Sequence, residues 1–282
     1  MSQRPPGLPL PSGHRAEFVS LLSGRHVFVT GSTHGVGLAI AVGLQKSGAA
    51  LVGHGLQDRD PAREARSALG QSTPFVFGDL ARDMPGGVIE LADAALRADD
   101  AIDTLVCNAG TYGEPDFLET EFQTFDFTMK LNVYSQYVLV QHFARRWVER
   151  GTAGRVLLIG SINGRLAEPD HVAYDTSKGA VEAMVRSMCV SLAPRGIRVN
   201  GMAPGLFRTP LTEPALQDDR IRRWMELHTP NGKVPGPEVC AETAVFLLSD
   251  AAEHIHGQML FVDGGMSSWQ QPDPPDSFMP PA

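Results

Sequence analysis

The stretch Thr30-Gly31-Ser32-Thr33-His34-Gly35-Val36-Gly37 constrains this chain more tightly than any other. Arg25-His26-Val27-Phe28-Val29 precedes it and, being short, β-branched and aromatic, reads as a buried strand. Leu38-Ala39-Ile40-Ala41-Val42-Gly43-Leu44 follows it and reads as a helix. Strand, glycine turn and helix form the setting in which a backbone loop receives a dinucleotide pyrophosphate. Gly31 permits the tight turn, Gly35 lets N–H groups approach an anion, and Gly37 lets the helix lie close to the sheet. The anion then rests on the positive end of the helix dipole. The spacing Gly-x-x-x-Gly-x-Gly departs from Gly-x-Gly-x-x-Gly, and such turns also occur without a ligand, so the loop does not decide the matter alone.

What surrounds the loop extends the argument. Apolar runs at 27–30, 50–53, 73–77, 102–107, 155–160, 198–202 and 259–262 read as strands. Helical periodicity fills 85–98, 121–150, 173–193 and 238–249. This alternation predicts an α/β fold: one Rossmann-type, doubly wound parallel sheet of about seven strands with helices on both faces. It predicts a single catalytic domain over 22–268, with Pro-rich tails at 1–21 and 269–282. Right-handed crossovers place the ligand crevice at the carboxyl ends of the strands. Asp79, Asn108-Ala109-Gly110, Ser161 and Pro204-Gly205 each follow a strand at that edge. Singly each reads as a cap, a turn or a break, but their coincidence at one edge favours a site.

The bulk properties exclude several classes. The 282 residues carry a net charge of −8 with no basic cluster, which argues against nucleic acid and anionic membrane as partners. No run is long enough to span a bilayer, and residues 1–11 lack the apolar core of a signal peptide. Cys107, Cys189 and Cys240 are scattered, which suggests free thiols and a cytoplasmic location. His254 and His256 have no carboxylate or cysteine at ligand spacing, so no metal is expected.

Tyr174-Asp175-Thr176-Ser177-Lys178 opens the helix read over 173–193 and puts Tyr174 and Lys178 on one face. A nearby ammonium favours phenolate, and the pair could exchange a proton near neutral pH with Ser161 holding a substrate oxygen. The same short pattern also arises as an exposed surface pair.

At this point the residues resemble those of a known family. Thr-Gly-x-x-x-Gly-x-Gly at 30–37, Asn-Ala-Gly at 108–110, Ser161, Tyr174-x-x-x-Lys178 and Pro204-Gly205 occur in the order of the short-chain dehydrogenase/reductase family. Asn132 matches its helix asparagine, and 261–265 matches its last strand and turn. The resemblance covers about residues 22–266. It implies an NAD(P)-dependent enzyme that interconverts an alcohol and a carbonyl by hydride transfer. Tyr174 would be the acid/base, Lys178 would depress its pKa and bind the nicotinamide ribose, and Ser161 would orient the substrate oxygen. Asn132 would hold a water linking Lys178 to solvent. Gly31, Ser32, His34, Val36 and Gly37 would line the pyrophosphate, and Asp79 with Leu80 the adenine. Asn108, Ala109 and Gly110 would border the ribose, and Pro204, Gly205, Leu206 and Thr209 the carboxamide. Cys107 replaces a second asparagine of many members, at a position expected to be buried.

The choice of cofactor falls near Gly55, where the chain reads Gly53-His54-Gly55-Leu56 and offers neither a carboxylate nor an arginine. Asp58 and Arg59 lie just beyond, and His34 is a weak basic candidate; the balance leans to NAD over NADP. By the same resemblance, helices over 133–148 and 181–192 would pack between subunits of a homotetramer. Asn163, Glu168, Asp170 and His171 surround the approach to Tyr174, and 207–229, with Arg208 and Trp224, would form a lid. Asn163 and His171, with Ser161 and Tyr174, are the substrate candidates. Their polarity suggests a small sugar, polyol or hydroxy acid. The rivals are an NADPH-dependent carbonyl or 3-oxoacyl-type reductase, a non-catalytic dinucleotide sensor, and an epimerase or dehydratase on the same fold.

Overall fold

All seven apolar runs become strands in the computed structural model, which describes residues 20–113, 115–209 and 212–269. They are β1 (His26–Val29), β2 (Ala50–Gly55), β3 (Phe75–Phe77), β4 (Thr104–Cys107), β5 (Arg155–Ile159), β6 (Arg198–Pro204) and β7 (Met259–Val262). They pair in parallel in the order β3-β2-β1-β4-β5-β6-β7. The order reverses between β1 and β4, and a crevice opens there at the carboxyl edge. Of the two proposed tails, 1–19 and 270–282 lie outside the described residues.

Both faces of the sheet are covered, so side chains alternate between two cores. Val27, Val29, Leu51, Val106, Leu157 and Ile159 point to one, which is closed by α1 (Gly35–Lys46) and α9 (Val239–Leu248). Those helices approach so closely that a Cβ on Gly43 would stand 2.6 Å from Ala241 Cβ. Phe28, Val52, Leu105, Val156 and Leu158 point to the other core. It is closed by α3 (Gly86–Ala98), α5 (Ser135–Arg150) and α6 (Val172–Leu192). Trp147 of α5 is 1% exposed there and donates its Nε1–H to Ile102 O at 2.7 Å. Val181 of α6 is buried, with Met184 and Met188 packed against the same core.

Three helical features differ from expectation. The run at 121–150 keeps helical dihedrals, but one turn, Lys130–Tyr134, widens to a π-turn between α4 (Phe122–Met129) and α5. Such turns cluster at functional sites, and this one carries Asn132. The polar helix α2 (Asp60–Leu69) was not apparent from periodicity; among its described side chains it buries Ala62, Ala65 and Leu69. The segment read as a lid contains two short helices, α7 (Glu213–Leu216) and α8 (Asp219–His228). Among the described residues, no helix is long and apolar enough to cross a membrane.

Candidate active site

The loop between β1 and α1 is held by its neighbours at many points. Gly31 has φ +62°, and a Cβ there would come within 2.9 Å of Ala109 Cα. Gly37 is tighter: its Cβ would stand 2.1 Å from Gly31 O and 2.3 Å from Asn108 Nδ2. Asn108 Nδ2 donates to Thr30 O and Gly31 O at 3.1 and 3.0 Å, and Thr30 Oγ1 accepts from the N–H groups of Asn108 and Ala109. The loops after β1 and β4 are thus one unit. Ser32 Oγ accepts from His54 N at 2.9 Å, so this hydroxyl braces β2.

His54 is the site residue that motif reading missed. Gly31 N–H donates to its Nδ1 at 3.0 Å, so Nε2 carries the hydrogen and donates to Gly78 O at 3.1 Å. The ring bridges the glycine loop to the end of β3. Burial lowers its pKa to about 4, against smaller upward effects of Gly78 and Asp79. Only its place at the end of β2 among glycines could have signalled this.

These elements fit a dinucleotide. Gly35 has φ +57° and nothing within 4 Å of a would-be Cβ, and α1, preceded by His34 as N-cap, has no side-chain capping bond and no acidic residue in its first turn. A cavity of about 440 Å³ opens there between Gly35, Leu38, Ala39, Arg208 and Thr209. His34 is exposed, with Nδ1 3.1 Å from Thr33 Oγ1, while Val36 is half-buried. Asp79 is exposed and turns its carboxylate onto Ala81 N at 2.9 Å. The Leu80 side chain is 2% exposed and packs within the core. Gly110 lies beside Asn132, and Gly205 lies so close to Asp263 that a Cβ would be 2.7 Å from its Cα. Pro204 ends β6 and Leu206 follows, half-buried.

The candidate catalytic side chains meet across the same edge. Ser161 caps the short 3-10 turn Ile162–Gly164 after β5, and it hydrogen bonds the Tyr174 side chain. Lys178, one turn along α6, sends Nζ to Ile159 O at 3.0 Å and lies 5.5 Å from the Tyr174 ring centroid. Burial lowers Lys178 to about 8 and raises Tyr174 to about 12. The Ser161 hydrogen bond lowers Tyr174, while the charges of Glu168 and Asp175 raise it. Desolvation is the largest of these influences, so the polypeptide alone holds Tyr174 protonated. Asn132 is fully buried, and its Nδ2 is used by Thr111 O and Ser177 Oγ, both at 2.9 Å, with Oδ1 accepting from Thr111 N. Both hydrogens of that amide nitrogen are thereby used, and they brace the loop after β4 against α6.

Of the substrate candidates, His171 stacks on Tyr112 with centroids 4.9 Å apart. Asn163 is buried and donates to Asp175 Oδ1 at 2.8 Å, a supporting contact. Tyr112 was not singled out in the sequence; it lies against His171 and Tyr174 only through the fold.

Comparison with known proteins agrees with this geometry. A family model described as enoyl-(acyl carrier protein) reductase matches residues 30–267. L-rhamnose 1-dehydrogenase (NAD(P)(+)) of Sphingomonas sp. (strain SKA58) is 32% identical over 251 residues, covering 88% of this chain and 98% of the relative. The 5-keto-D-gluconate 5-reductase of Escherichia coli (strain K12) is 35% identical over 251 residues, covering 87% and 96%. A solved gluconate 5-dehydrogenase from Burkholderia cenocepacia J2315, in complex with NADP and tartrate, superposes with a TM-score of 0.81. It is 32% identical, and the match covers 90% of this chain and 98% of that one. The chain belongs to the short-chain dehydrogenase/reductase family and is an NAD(P)-dependent oxidoreductase.

Proposed function

We propose that Tyr174 gives and takes the proton as a small hydroxylated substrate, of the sugar, polyol or hydroxy-acid class, is interconverted with its carbonyl form. The observation that carries this reading is Tyr174 hydrogen bonded to Ser161 beside Lys178 on one face of α6. When bound, the nicotinamide supplies or accepts the hydride. Ser161 holds the substrate oxygen, Tyr174 meets it with its hydroxyl, and Lys178 holds the nicotinamide ribose with its buried Nζ. Gly31, Gly35 and Gly37 admit the pyrophosphate, and Asn108 and Thr209 flank the ribose and carboxamide. In the carbonyl-reducing direction the Tyr174 proton goes to the nascent alkoxide; in the reverse direction the Tyr174 oxygen removes it.

NAD is the proposed cofactor. Gly55 and Leu56 offer no cation to a 2′-phosphate, and nearby Arg66 is paired with Asp58 at 2.6 Å. The NADP bound to the Burkholderia relative supports the second reading, an NADPH-dependent carbonyl reductase. We also propose a homotetramer, whose supporting feature is an apolar groove of about 480 Å³ between α5 and α6, lined by Tyr137, Val140, Val148, Met188 and Leu192. A cytoplasmic location fits the free thiols of Cys107, Cys189 and Cys240.

Titration with NADH and NADPH, followed by nicotinamide fluorescence, tests the cofactor; tighter NADPH binding would make His34 or Arg59 the phosphate contact and favour the reductase. Tyr174→Phe is expected to lower turnover by about 10²–10⁴-fold while NADH binding is unchanged. Near-normal turnover in that variant would remove Tyr174 from its role.

A further inference from the structure

The wall facing Tyr174 is aromatic on its surface and acidic behind it. Tyr112 and His171 stack with ring planes 20° apart. Both rings stand nearly edge-on to Tyr174, with centroids at 5.8 and 6.3 Å. Tyr112 is fixed because both backbone polar groups of Thr111 are held by the buried Asn132 amide, yet it stays 37% exposed. His171 is fixed by Nδ1, which donates to Pro169 O at 2.8 Å. An aromatic face carries negative charge density and suits the partly positive C–H face of a ring sugar.

The charges behind the wall are anionic. Glu168 Oε2 lies 3.7 Å from His171 Nδ1, and the Glu168 side chain is 37% exposed. Asp175 is held by Asn163 Nδ2 and by the Glu168 N–H at 3.0 Å. Both carboxylates act on Tyr174 strongly enough to raise its pKa. The arginines of the flanking loops are engaged elsewhere. Arg165 binds Glu182 at 2.8 Å and covers Phe261, and Arg208 pairs with Glu213 at 3.3 Å.

We propose that Tyr112 and His171 form a stacking platform for the ring of a neutral cyclic sugar, with Glu168 accepting from its hydroxyls, and that the same wall rejects sugar acids. The proposal rests on Tyr174 being the reaction centre and chooses one substrate class within that reading. A ring C–OH loses its carbon-bound hydrogen as hydride to the oxidised nicotinamide and its hydroxyl proton to the Tyr174 oxygen. The C–O bond becomes C=O, and the products are the oxidised sugar, the reduced cofactor and one proton. A carboxylate on that ring would meet Glu168 and Asp175 with no described arginine turned to receive it, and like charges at close range are costly.

The test uses the full chain with NAD and with NADP, and two matched substrate pairs: D-galactose with D-galacturonate, and D-glucose with D-glucuronate. The neutral member is expected to have kcat/KM about tenfold higher or more in at least one pair. Tyr112→Ala is expected to raise KM for the neutral sugar about tenfold with a smaller change in kcat, and Tyr112→Phe to restore it. Glu168→Gln is expected to shrink the neutral-to-acid ratio. Titrating the cofactor-saturated Tyr174→Phe variant with each sugar reads the same preference without turnover. A preference for the acids, or a neutral-sugar KM indifferent to Tyr112→Ala, overturns the platform. So does turnover of simple ketones with no sugar bound, and that outcome leaves the oxidoreductase reading standing. Failure to bind either dinucleotide removes the proposed function itself.

Discussion

Replacing His54 with Gln tests whether the bracket between the glycine loop and β3 is held by a neutral imidazole. The folded pKa of about 4 lies below the ordinary histidine value of 6.5, so the native state binds fewer protons than the unfolded chain across that interval. Stability therefore falls as pH falls, beginning near the unfolded value and continuing to the folded one. Between pH 7 and pH 5 the His54 contribution drops by about 2 kcal/mol. The structural cost is concrete: a protonated ring would aim Nδ1–H at the Gly31 N–H that now donates to it. Urea midpoints measured at pH 7 and pH 5 for the wild type and His54→Gln give a difference of differences. The histidines paired with Asp99 and Asp93, His26 and His142, are present in both proteins and cancel. The wild type should lose about 2 kcal/mol more than the variant over that range. Equal losses would show that the buried ring is not kept neutral, and the bracket argument would fail, whatever the absolute stability of His54→Gln.

Gly37→Ala should weaken NADH binding by about tenfold or more, because its Cβ would meet backbone at 2.1 Å; the fluorescence titration checks this. Trp147→Phe strands the buried Ile102 carbonyl and should cost about 1–3 kcal/mol, read as a shifted urea midpoint with full cofactor affinity at saturation. With Tyr174 near 12, alcohol oxidation should rise with pH between about 6 and 9 while carbonyl reduction does not. Initial rates in both directions measure this, and an oxidation rate that falls over the same range contradicts the assigned role.

The parts of this molecule legible in the sequence are those governed by local periodicity and turn chemistry. Each strand announced itself as a short apolar run because both faces of the sheet are buried, and the polar residues after the strands marked the carboxyl edge. The bonds from Asn108 to Thr30 emerge only in the structure. The π-turn at Asn132 was not legible, since its dihedrals stay helical and the apolar period runs through it. Helices α2 and α8 were missed because their surfaces are almost wholly polar, leaving little apolar stripe to count. His54 and Tyr112 were hidden for another reason. Their meaning lies in partners brought by the sheet, Gly31 and Gly78 for one and His171 for the other, and no local pattern encodes those pairings.

Burial acts on Tyr174 and Lys178 in opposite directions for one reason: a desolvated site disfavours both phenolate and ammonium. Glu168 and Asp175 add to the effect at Tyr174 and oppose ionisation further. The polypeptide thus holds the tyrosine as a proton donor, the state that carbonyl reduction requires. Taking a proton from an alcohol requires a positive charge beside the Tyr174 oxygen, and an oxidised nicotinamide is such a charge. With its pKa lowered by burial to about 8, Lys178 stays mostly protonated at pH 7 and donates to Ile159 O. Its ammonium reinforces that cofactor charge but does not replace it. In the proposed role, the direction of proton transfer at Tyr174 is coupled to the redox state of the bound cofactor.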